Sequence, residues 1–117
     1  MTTRLFLTGI TASGHHGANP GEKDGVQDFV VDLDVEVRVE ADRLAGTADY
    51  RALIRAVRDV IERESFDLLE SIAAAVARAV AAHEGVARAT AIVHKPAAAR
   101  SSDVQGVAAA FTAEPED

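Results

Sequence analysis

The stretch QDFVVDLDVEVRVE, residues 27–40, alternates apolar and polar side chains almost without a break. Its odd positions carry the apolar side chains Phe29, Val31, Leu33, Val35, Val37 and Val39, and charged side chains fill most even positions. Because successive side chains of a β-strand point to opposite faces, this period of two predicts a long strand with one buried and one solvated face. Such a strand is typical of an antiparallel sheet that is covered on one side.

Three further segments are predicted to be strands. Residues 4–12 (RLFLTGITA) form a short one before the long strand, and a Gly-rich loop, residues 13–25, joins the two. Residues 87–94 (ARATAIVH) form another, which ends before Pro96. A weaker last strand is expected over residues 103–114.

Two helices are predicted between the long strand and the third strand, because apolar side chains recur there every three or four residues. Thr47 or Asp49 is a candidate N-cap for the first helix. The second runs from about residue 68 to 83, with Ser65 or Asp67 as its candidate cap. The element order predicts an α+β domain, a four-stranded antiparallel sheet with both helices packed on one face.

Length and composition narrow the class of protein. A chain of 117 residues fits one domain, which we expect over residues 1–113, followed by a frayed acidic tail at 114–117. The net charge of −7, without a basic cluster, makes nucleic acid and anionic membranes poor partners. The chain has no cysteine, which excludes disulfides and thiolate chemistry, and its first residues lack the apolar core of a signal peptide. We therefore expect a cytoplasmic protein.

Four side chains are candidates for chemistry, although each also has a purely structural explanation. Only two of the twelve basic residues are lysines, and one of them, Lys95, lies in IVHKPAAA, residues 92–99. Lysine can lose its proton, whereas arginine stays charged. Glu22 lies in the Gly-rich loop, Tyr50 opens the first predicted helix, and Glu70 falls in the first turn of the second, where a carboxylate is stabilised by the helix N-terminus.

The Gly-rich loop also contains the adjacent histidines His15 and His16. Alternate spacing would suit a metal site on a strand better than adjacent positions do. We therefore expect these side chains to hold the loop backbone by hydrogen bonds, and we predict no metal.

Taken in order, the motifs of the chain resemble those of the dihydroneopterin aldolase family, a tunnelling-fold family of folate biosynthesis. The family pattern runs G-x-H-G, a Glu five residues before a Gln, F-x-x-D, T-x-x-Y, L-[LI]-E and a Lys near a Pro. The chain shows residues 14–17 (GHHG), Glu22 with Gln27, Phe29 with Asp32, Thr47 with Tyr50, Leu69 with Glu70, and Lys95 with Pro96. One such fragment is weak evidence, but the ordered series covers nearly the whole chain.

The resemblance implies a retro-aldol cleavage of dihydroneopterin into hydroxymethyl-dihydropterin and glycolaldehyde, with epimerase or oxygenase side reactions. It implies the catalytic residues Lys95, Tyr50 and Glu22 and the substrate-binding residues Glu70, Leu69, Asp49 and Ala48. The dihydropterin ring contains an imine that can accept the electron pair of the broken bond. The expected chemistry therefore calls for neither a metal nor a cofactor.

The resemblance further implies a homo-oligomer whose sheets form a ring-shaped barrel, either one tetrameric ring or a stacked octamer, with sites between subunits. The partner implied is a small pterin. The chain departs from the family pattern at Val26, in residues 41–47 and at residues 97–100. Two alternatives stay open: an epimerase acting on dihydroneopterin phosphates, and a pterin- or purine-binding ring protein without catalysis.

Overall fold

The computed structural model describes residues 1–116 and contains four strands and three helices. The strands are β1 (Thr2–Gly14), β2 (Gln27–Arg38), β3 (Val86–His94) and β4 (Ala108–Ala113), and the helices are α1 (Tyr50–Arg63), α2 (Leu69–Ala81) and α3 (Pro96–Ser102). Short 3-10 turns cover Glu22–Asp24 and Leu44–Gly46. The predicted tail at 114–117 includes Asp117, which lies outside the described residues.

The four strands form one antiparallel sheet in the order β1-β2-β3-β4, which confirms the predicted architecture. β2 is one of the two inner strands, and its odd-numbered side chains from Phe29 to Val37 are at most 3% exposed. Burying one large apolar side chain stabilises the fold by about 1.5–3 kcal/mol, so this alternation strongly specifies which face of β2 is covered. The strand ends at Arg38, although Val39 still exchanges backbone hydrogen bonds with Met1.

Helices α1 and α2 cover the apolar face of the sheet, as predicted. Their buried side chains join one core with β2 and β3: Leu53, Val57, Val60 and Ile61 from α1, and Ile72, Ala73, Val76, Ala77, Val80 and Ala81 from α2. The alanines of α2 have small side chains, which let the helix lie close to the buried Ala89 and Ala91 of β3. At the start of α1, the Asp49 side chain accepts a hydrogen bond from the Arg51 amide at 3.0 Å, which confirms one of the two predicted caps.

Helix α2 begins at Leu69, close to its predicted start, but the predicted caps are wrong. Leu68 occupies the N-cap position without a side-chain cap, and it is 50% exposed. The polar groups expected to cap the helix are used elsewhere. Ser65 donates to the His15 carbonyl at 2.9 Å, and Asp67 pairs with Lys23 at 2.7 Å. Both contacts attach the Gly-rich loop to the segment between α1 and α2.

Helix α3 is an element that the sequence did not predict. Pro96 ends the preceding strand as expected, but it then serves as the first helical residue, where its missing N–H costs nothing. The helix ends at Ser102, and its C-cap residue, Asp103, adopts a left-handed conformation with φ 55°. Because residues 103–107 form the turn after α3, the last strand is shorter than the predicted range 103–114.

The antiparallel topology gathers different segments at the two ends of the sheet. At one end lie the Gly-rich loop, the start of α2 and the end of β3. At the other end, Gly85 at the start of β3 packs against Ala48. The nine residues of β3 separate these ends by about 25–30 Å at the usual rise per strand residue. None of the helices within residues 1–116 combines the length and apolarity needed to cross a membrane.

Candidate active site

Lys95 and Glu22, which lie 73 positions apart in the chain, meet at the first of these two ends of the sheet. Lys95 links β3 to α3, and its amide donates to the Val107 carbonyl at 2.9 Å, which fixes its backbone beside β4. Its Nζ donates to Glu22 Oε2 at 2.6 Å. The two side chains are only 18% and 20% exposed, so the ion pair is partly shielded from water.

Glu22 is held by more than the lysine. Its Oε1 accepts from the amide and the side chain of Asn19, both at 3.3 Å, and its Oε2 also accepts from Gln27 Nε2 at 3.2 Å. The hydrogen bond from Lys95, followed by that from Gln27, lowers the pKa of Glu22 from 4.5 to about 2. Glu22 is therefore ionised at neutral pH and carries a full negative charge opposite Lys95.

The two glycines of the GHHG motif are required by close contacts. A Cβ at Gly17, whose φ is +148°, would overlap the Glu22 carboxylate, and one at Gly14 would overlap the Ile61 carbonyl. The loop backbone can therefore wrap around Glu22 only without a side chain at position 17, and the end of β1 can pack against Ile61 of α1 only without one at position 14. Asn19, Gln27 and Gly17 were not among the predicted site residues, although Gln27 and Gly17 belong to the motifs that carried the resemblance.

The histidines between these glycines hold the backbone, as expected from the sequence. His15 Nδ1 lies 2.9 Å from the Lys23 carbonyl. His16 bonds to the Ile61 carbonyl and to the Phe66 amide. The part of the chain that the structure describes contains no cluster of three or more His, Cys, Asp or Glu side chains arranged for a metal ion.

An open groove of about 610 Å³ lies beside the Lys95–Glu22 pair. Its opposite wall is the start of α2, where Leu69 is half-buried and Glu70 is exposed. The positive end of the α2 dipole stabilises a carboxylate at the Glu70 position. The volume of the groove falls in the range of small-molecule sites. Four of the seven predicted site residues line it: Glu22, Leu69, Glu70 and Lys95.

The remaining three predicted residues lie at the other end of the sheet. Tyr50, the first residue of α1, is 49% exposed, and Ala48 packs against Gly85. Asp49 lines a separate cavity of about 420 Å³ and pairs with Arg51. A single chain therefore holds the seven predicted residues as two groups, separated by about the length of β3.

The sequence model of the family described as dihydroneopterin aldolase matches residues 5–112, which is most of the chain. The chain belongs to the dihydroneopterin aldolase family. A dihydroneopterin aldolase of Streptomyces coelicolor is 38% identical over 97 residues, which cover 80% of this chain and 82% of that protein. This finding confirms the resemblance inferred from the ordered motifs.

Solved dihydroneopterin aldolase structures share the fold. The enzyme of E. coli, in complex with neopterin, has a TM-score of 0.81 at 19% identity, covering 95% of this chain and 98% of that one. The enzyme of Burkholderia thailandensis, bound to guanine, has a TM-score of 0.80 at 23% identity, covering 98% of this chain and 93% of that one. These likenesses confirm the sheet-and-helix architecture at the level of the fold.

Two of the three departures of this chain from the dihydroneopterin aldolase pattern, Val26 and residues 97–100, lie beside the Lys95–Glu22 pair, whereas residues 41–47 lie at the other end of the sheet. Val26 and helix α3 line a second cavity of about 490 Å³ on the other side of the Lys95–Glu22 pair. Ala97, Ala98, Ser101 and Ser102 supply the α3 wall of this cavity. The sequence differences therefore change the surroundings of the ion pair and leave the pair itself in place.

The lowered pKa of Glu22 predicts a pH-dependent contribution to stability in this family member. A carboxyl group whose folded pKa is about 2 and whose ordinary value is 4.5 stabilises the fold fully above pH 4.5, and this contribution is lost as the pH falls through that interval. We expect wild-type protein to lose unfolding free energy more steeply than Glu22→Gln between pH 4.5 and 2. Urea unfolding at several pH values measures this difference, and parallel curves for the two proteins would contradict it.

Proposed function

We propose that this chain is a dihydroneopterin aldolase, a carbon–carbon lyase that cleaves dihydroneopterin into hydroxymethyl-dihydropterin and glycolaldehyde, and that residues 1–113 form its single domain. The observation that carries the proposal is the Lys95–Glu22 ion pair at 2.6 Å, in a groove whose other wall presents Glu70. A proton carrier and a carboxylate for the substrate thus share one pocket. Family membership supports the same activity.

Glu70 is proposed to bind the pterin ring. The ring presents an amino group and a neighbouring ring N–H side by side, and a carboxylate accepts both donors at once. Guanine and neopterin, the ligands in the two solved structures of the family, share this donor edge. Leu69 lies next to Glu70 at the start of α2, where its side chain and backbone can meet the face and rim of the ring.

Lys95 is proposed to move the protons of the reaction, with a bound water as relay. In the resting site it is an ammonium paired with Glu22, so it first acts as an acid and protonates the ring imine nitrogen. The neutral amine then accepts the proton of the side-chain hydroxyl as the carbon–carbon bond breaks. The electron pair moves into the ring, glycolaldehyde leaves, and an enol-type pterin remains.

Reprotonation of the exocyclic carbon of this intermediate and loss of the proton from the ring nitrogen complete the reaction. Tyr50 is proposed to exchange the proton at carbon, and Ala48 and Asp49 to contact the ring through their backbones. Since these residues lie about 25–30 Å from Lys95 in one subunit, they must come from a neighbouring copy. The site is therefore proposed to form between subunits of a homo-oligomer, a tetrameric ring or a stacked octamer.

Exposed apolar side chains support this assembly. Val26 and Leu68 are exposed near the Lys95 groove, and Leu44 and Tyr50 are exposed at the other end of the sheet. In addition, β1 and β4 each pair with a strand on one side only, so both edges of the sheet are free to meet another copy. A ring of such subunits would bury both the sheet edges and the apolar side chains.

Mixing two inactive variants tests whether the site is shared. Lys95→Ala and Tyr50→Phe subunits, each inactive alone, are expected to regain activity when unfolded together and reassembled at equal amounts. Random assembly leaves about a quarter of the sites with both wild-type residues, so about a quarter of wild-type activity should return. Activity no greater than that of the separate variants would place the whole site within one chain.

The decisive experiment for the function is product analysis. Assembled protein is incubated with dihydroneopterin, and glycolaldehyde and hydroxymethyl-dihydropterin are quantified by chromatography. Both products are expected in equal amounts. Pterin binding by calorimetry without either product would instead identify a binding protein without catalysis.

The charge of the site favours an unphosphorylated substrate over the phosphates required by the epimerase alternative. Among the described residues that line the two cavities beside the ion pair, Lys95 is the one basic side chain, and Glu22 already neutralises it. Asp67 and Glu70 add negative charge to the groove. A triphosphate would meet carboxylates where it needs cations.

A further inference from the structure

His16 is the one charged or polar side chain within residues 1–116 that lies fully in the core, with 1% of its surface exposed. The proposed reaction does not use it. Its ring stacks on Phe66, with 5.9 Å between ring centroids, and meets Phe29 edge-on at 5.3 Å. A histidine buried between two aromatic rings needs partners for both of its nitrogens.

One ring nitrogen binds near the end of α1, and the other binds the segment that joins α1 to α2. The Phe66 amide can only donate, so His16 Nδ1, 3.0 Å away, is the acceptor. The proton of the neutral ring is therefore on Nε2, which donates to the Ile61 carbonyl at 2.9 Å. The ring thus spans the end of α1 and the segment that leads into α2, and the Gly17 amide adds a hydrogen bond to the Phe66 carbonyl at 3.0 Å.

The backbone of His16 reaches the other part of the site. Its carbonyl accepts a hydrogen bond from Gln27 Nε2 at 2.8 Å, and the same amide group donates to Glu22 Oε2 at 3.2 Å. Glu22 in turn accepts from Lys95. A short path of hydrogen bonds therefore joins the buried histidine to the ion pair.

From His16 in the other direction, hydrogen bonds lead toward the start of α2, the wall of the groove that carries Leu69 and Glu70. Phe66, which is bound through its amide and its carbonyl, precedes Leu69 and Glu70 by three and four residues. No side chain caps the start of α2, so the position of this helix end depends on the packing and hydrogen bonds of the segment before it. His16 is thus placed between the group that binds the ring and the groups that move protons.

We propose that His16 is a positioning residue that fixes the Lys95–Glu22 pair relative to the Leu69–Glu70 wall of the groove. The inference rests on the proposed function in that both walls must act on one pterin. Proton transfer and bond cleavage require the reacting groups to be aligned, and a misplacement of about 1 Å can cost about 100-fold in rate. The buried ring provides this alignment because both of its nitrogens are hydrogen-bonded and two aromatic rings pack against it.

The test compares His16→Phe, which keeps a ring in the core but removes both ring hydrogen bonds, with His16→Asn, whose side-chain oxygen can still accept from Phe66. For assembled His16→Phe we expect kcat to fall about 10- to 100-fold, with KM for dihydroneopterin changed less than about threefold. His16→Asn should recover about threefold or more of the lost kcat. His15→Gln, at the neighbouring exposed histidine, is the control and should stay within about twofold of wild type.

Hydrogen exchange gives a readout that does not depend on turnover. In both His16 variants, the amides of residues 17–25 and 64–70 should exchange faster together, while those in the middle of β2 should stay protected. A folded His16→Phe protein with wild-type kcat and unchanged exchange would overturn the inference. A loss of thermal stability with unchanged kcat per assembled site would also overturn the inference. If His16→Phe does not fold, both measurements are made on His16→Asn, for which the same outcomes count.

Failure of the proposed function would be seen separately. A wild-type protein that releases no glycolaldehyde would refute the aldolase proposal, and exchange in the two loop segments would still decide whether His16 couples them. Wild-type turnover together with unaffected His16 variants would refute only the role of the histidine.

Discussion

Replacement of Lys95 by alanine is expected to lower kcat for dihydroneopterin cleavage by about 100- to 10,000-fold, the contribution typical of a general acid–base group. The variant loses the group proposed to protonate the ring nitrogen and then to accept the hydroxyl proton. It also leaves Glu22 without its cationic partner in a partly shielded site. Steady-state kinetics on assembled protein measure the loss, and full activity of Lys95→Ala would exclude the assigned role.

Lys95→Arg is the matched control, since it keeps the positive charge opposite Glu22. Arginine does not release its proton near neutral pH, so this variant should bind neopterin but remain nearly as slow as Lys95→Ala. If Lys95→Arg retained activity within about tenfold of wild type, a fixed charge would suffice and the proton-transfer role would be wrong. The comparison therefore separates electrostatic stabilisation from proton transfer.

Glu70→Gln is expected to weaken binding of neopterin or guanine by about 100-fold. The carboxylate is proposed to accept two charge-assisted hydrogen bonds, each contributing about 1.5–3 kcal/mol, whereas the glutamine amide keeps one acceptor and turns a donor toward the amino group. The lost affinity corresponds to about 2.7 kcal/mol. Isothermal titration calorimetry on the assembled oligomer measures it directly.

Glu62→Gln, an equal change of charge at an exposed position of α1, is the control for this measurement. It should leave ligand affinity within about twofold of wild type, since surface substitutions away from special sites have small effects. Unchanged affinity of Glu70→Gln would mean that another group meets the donor edge of the ring. Reduced kcat with unchanged affinity would place Glu70 among the proton-transfer groups instead.

The features of the fold that could be predicted are those that depend on residues close together in the sequence. The alternation around Val35 specified the central strand, and helical spacing after residues 50 and 68 specified both covering helices. Helix α3 escaped prediction because a proline followed by small residues is equally consistent with a turn and with a first helical turn. The predicted caps before α2 were wrong because Ser65 and Asp67 are engaged by the Gly-rich loop, a contact across about fifty residues of chain.

Only part of the candidate site could be predicted from the sequence. Ordered motifs predicted Glu22, Glu70 and Lys95 as site residues, because the proposed chemistry requires those residue types and a resemblance supplied their order. Gln27 and Gly17 stood in the same motifs, but their roles appear only when the carboxylate of Glu22 is seen to touch both positions. The residues around His16 in the sequence do not indicate that its ring joins two walls of a groove, because its partners Ile61 and Phe66 lie 45 and 50 positions away.

The sequence by itself determined which faces are buried, where the main elements lie and which residue types are available for proton transfer. These are properties of side chains and of their immediate neighbours. Only the tertiary structure decided that Lys95 meets Glu22 and that Tyr50 lies at the far end of the sheet. The physical reason is that such contacts depend on antiparallel pairing and helix packing, which bring distant segments together through the free energy of the whole core.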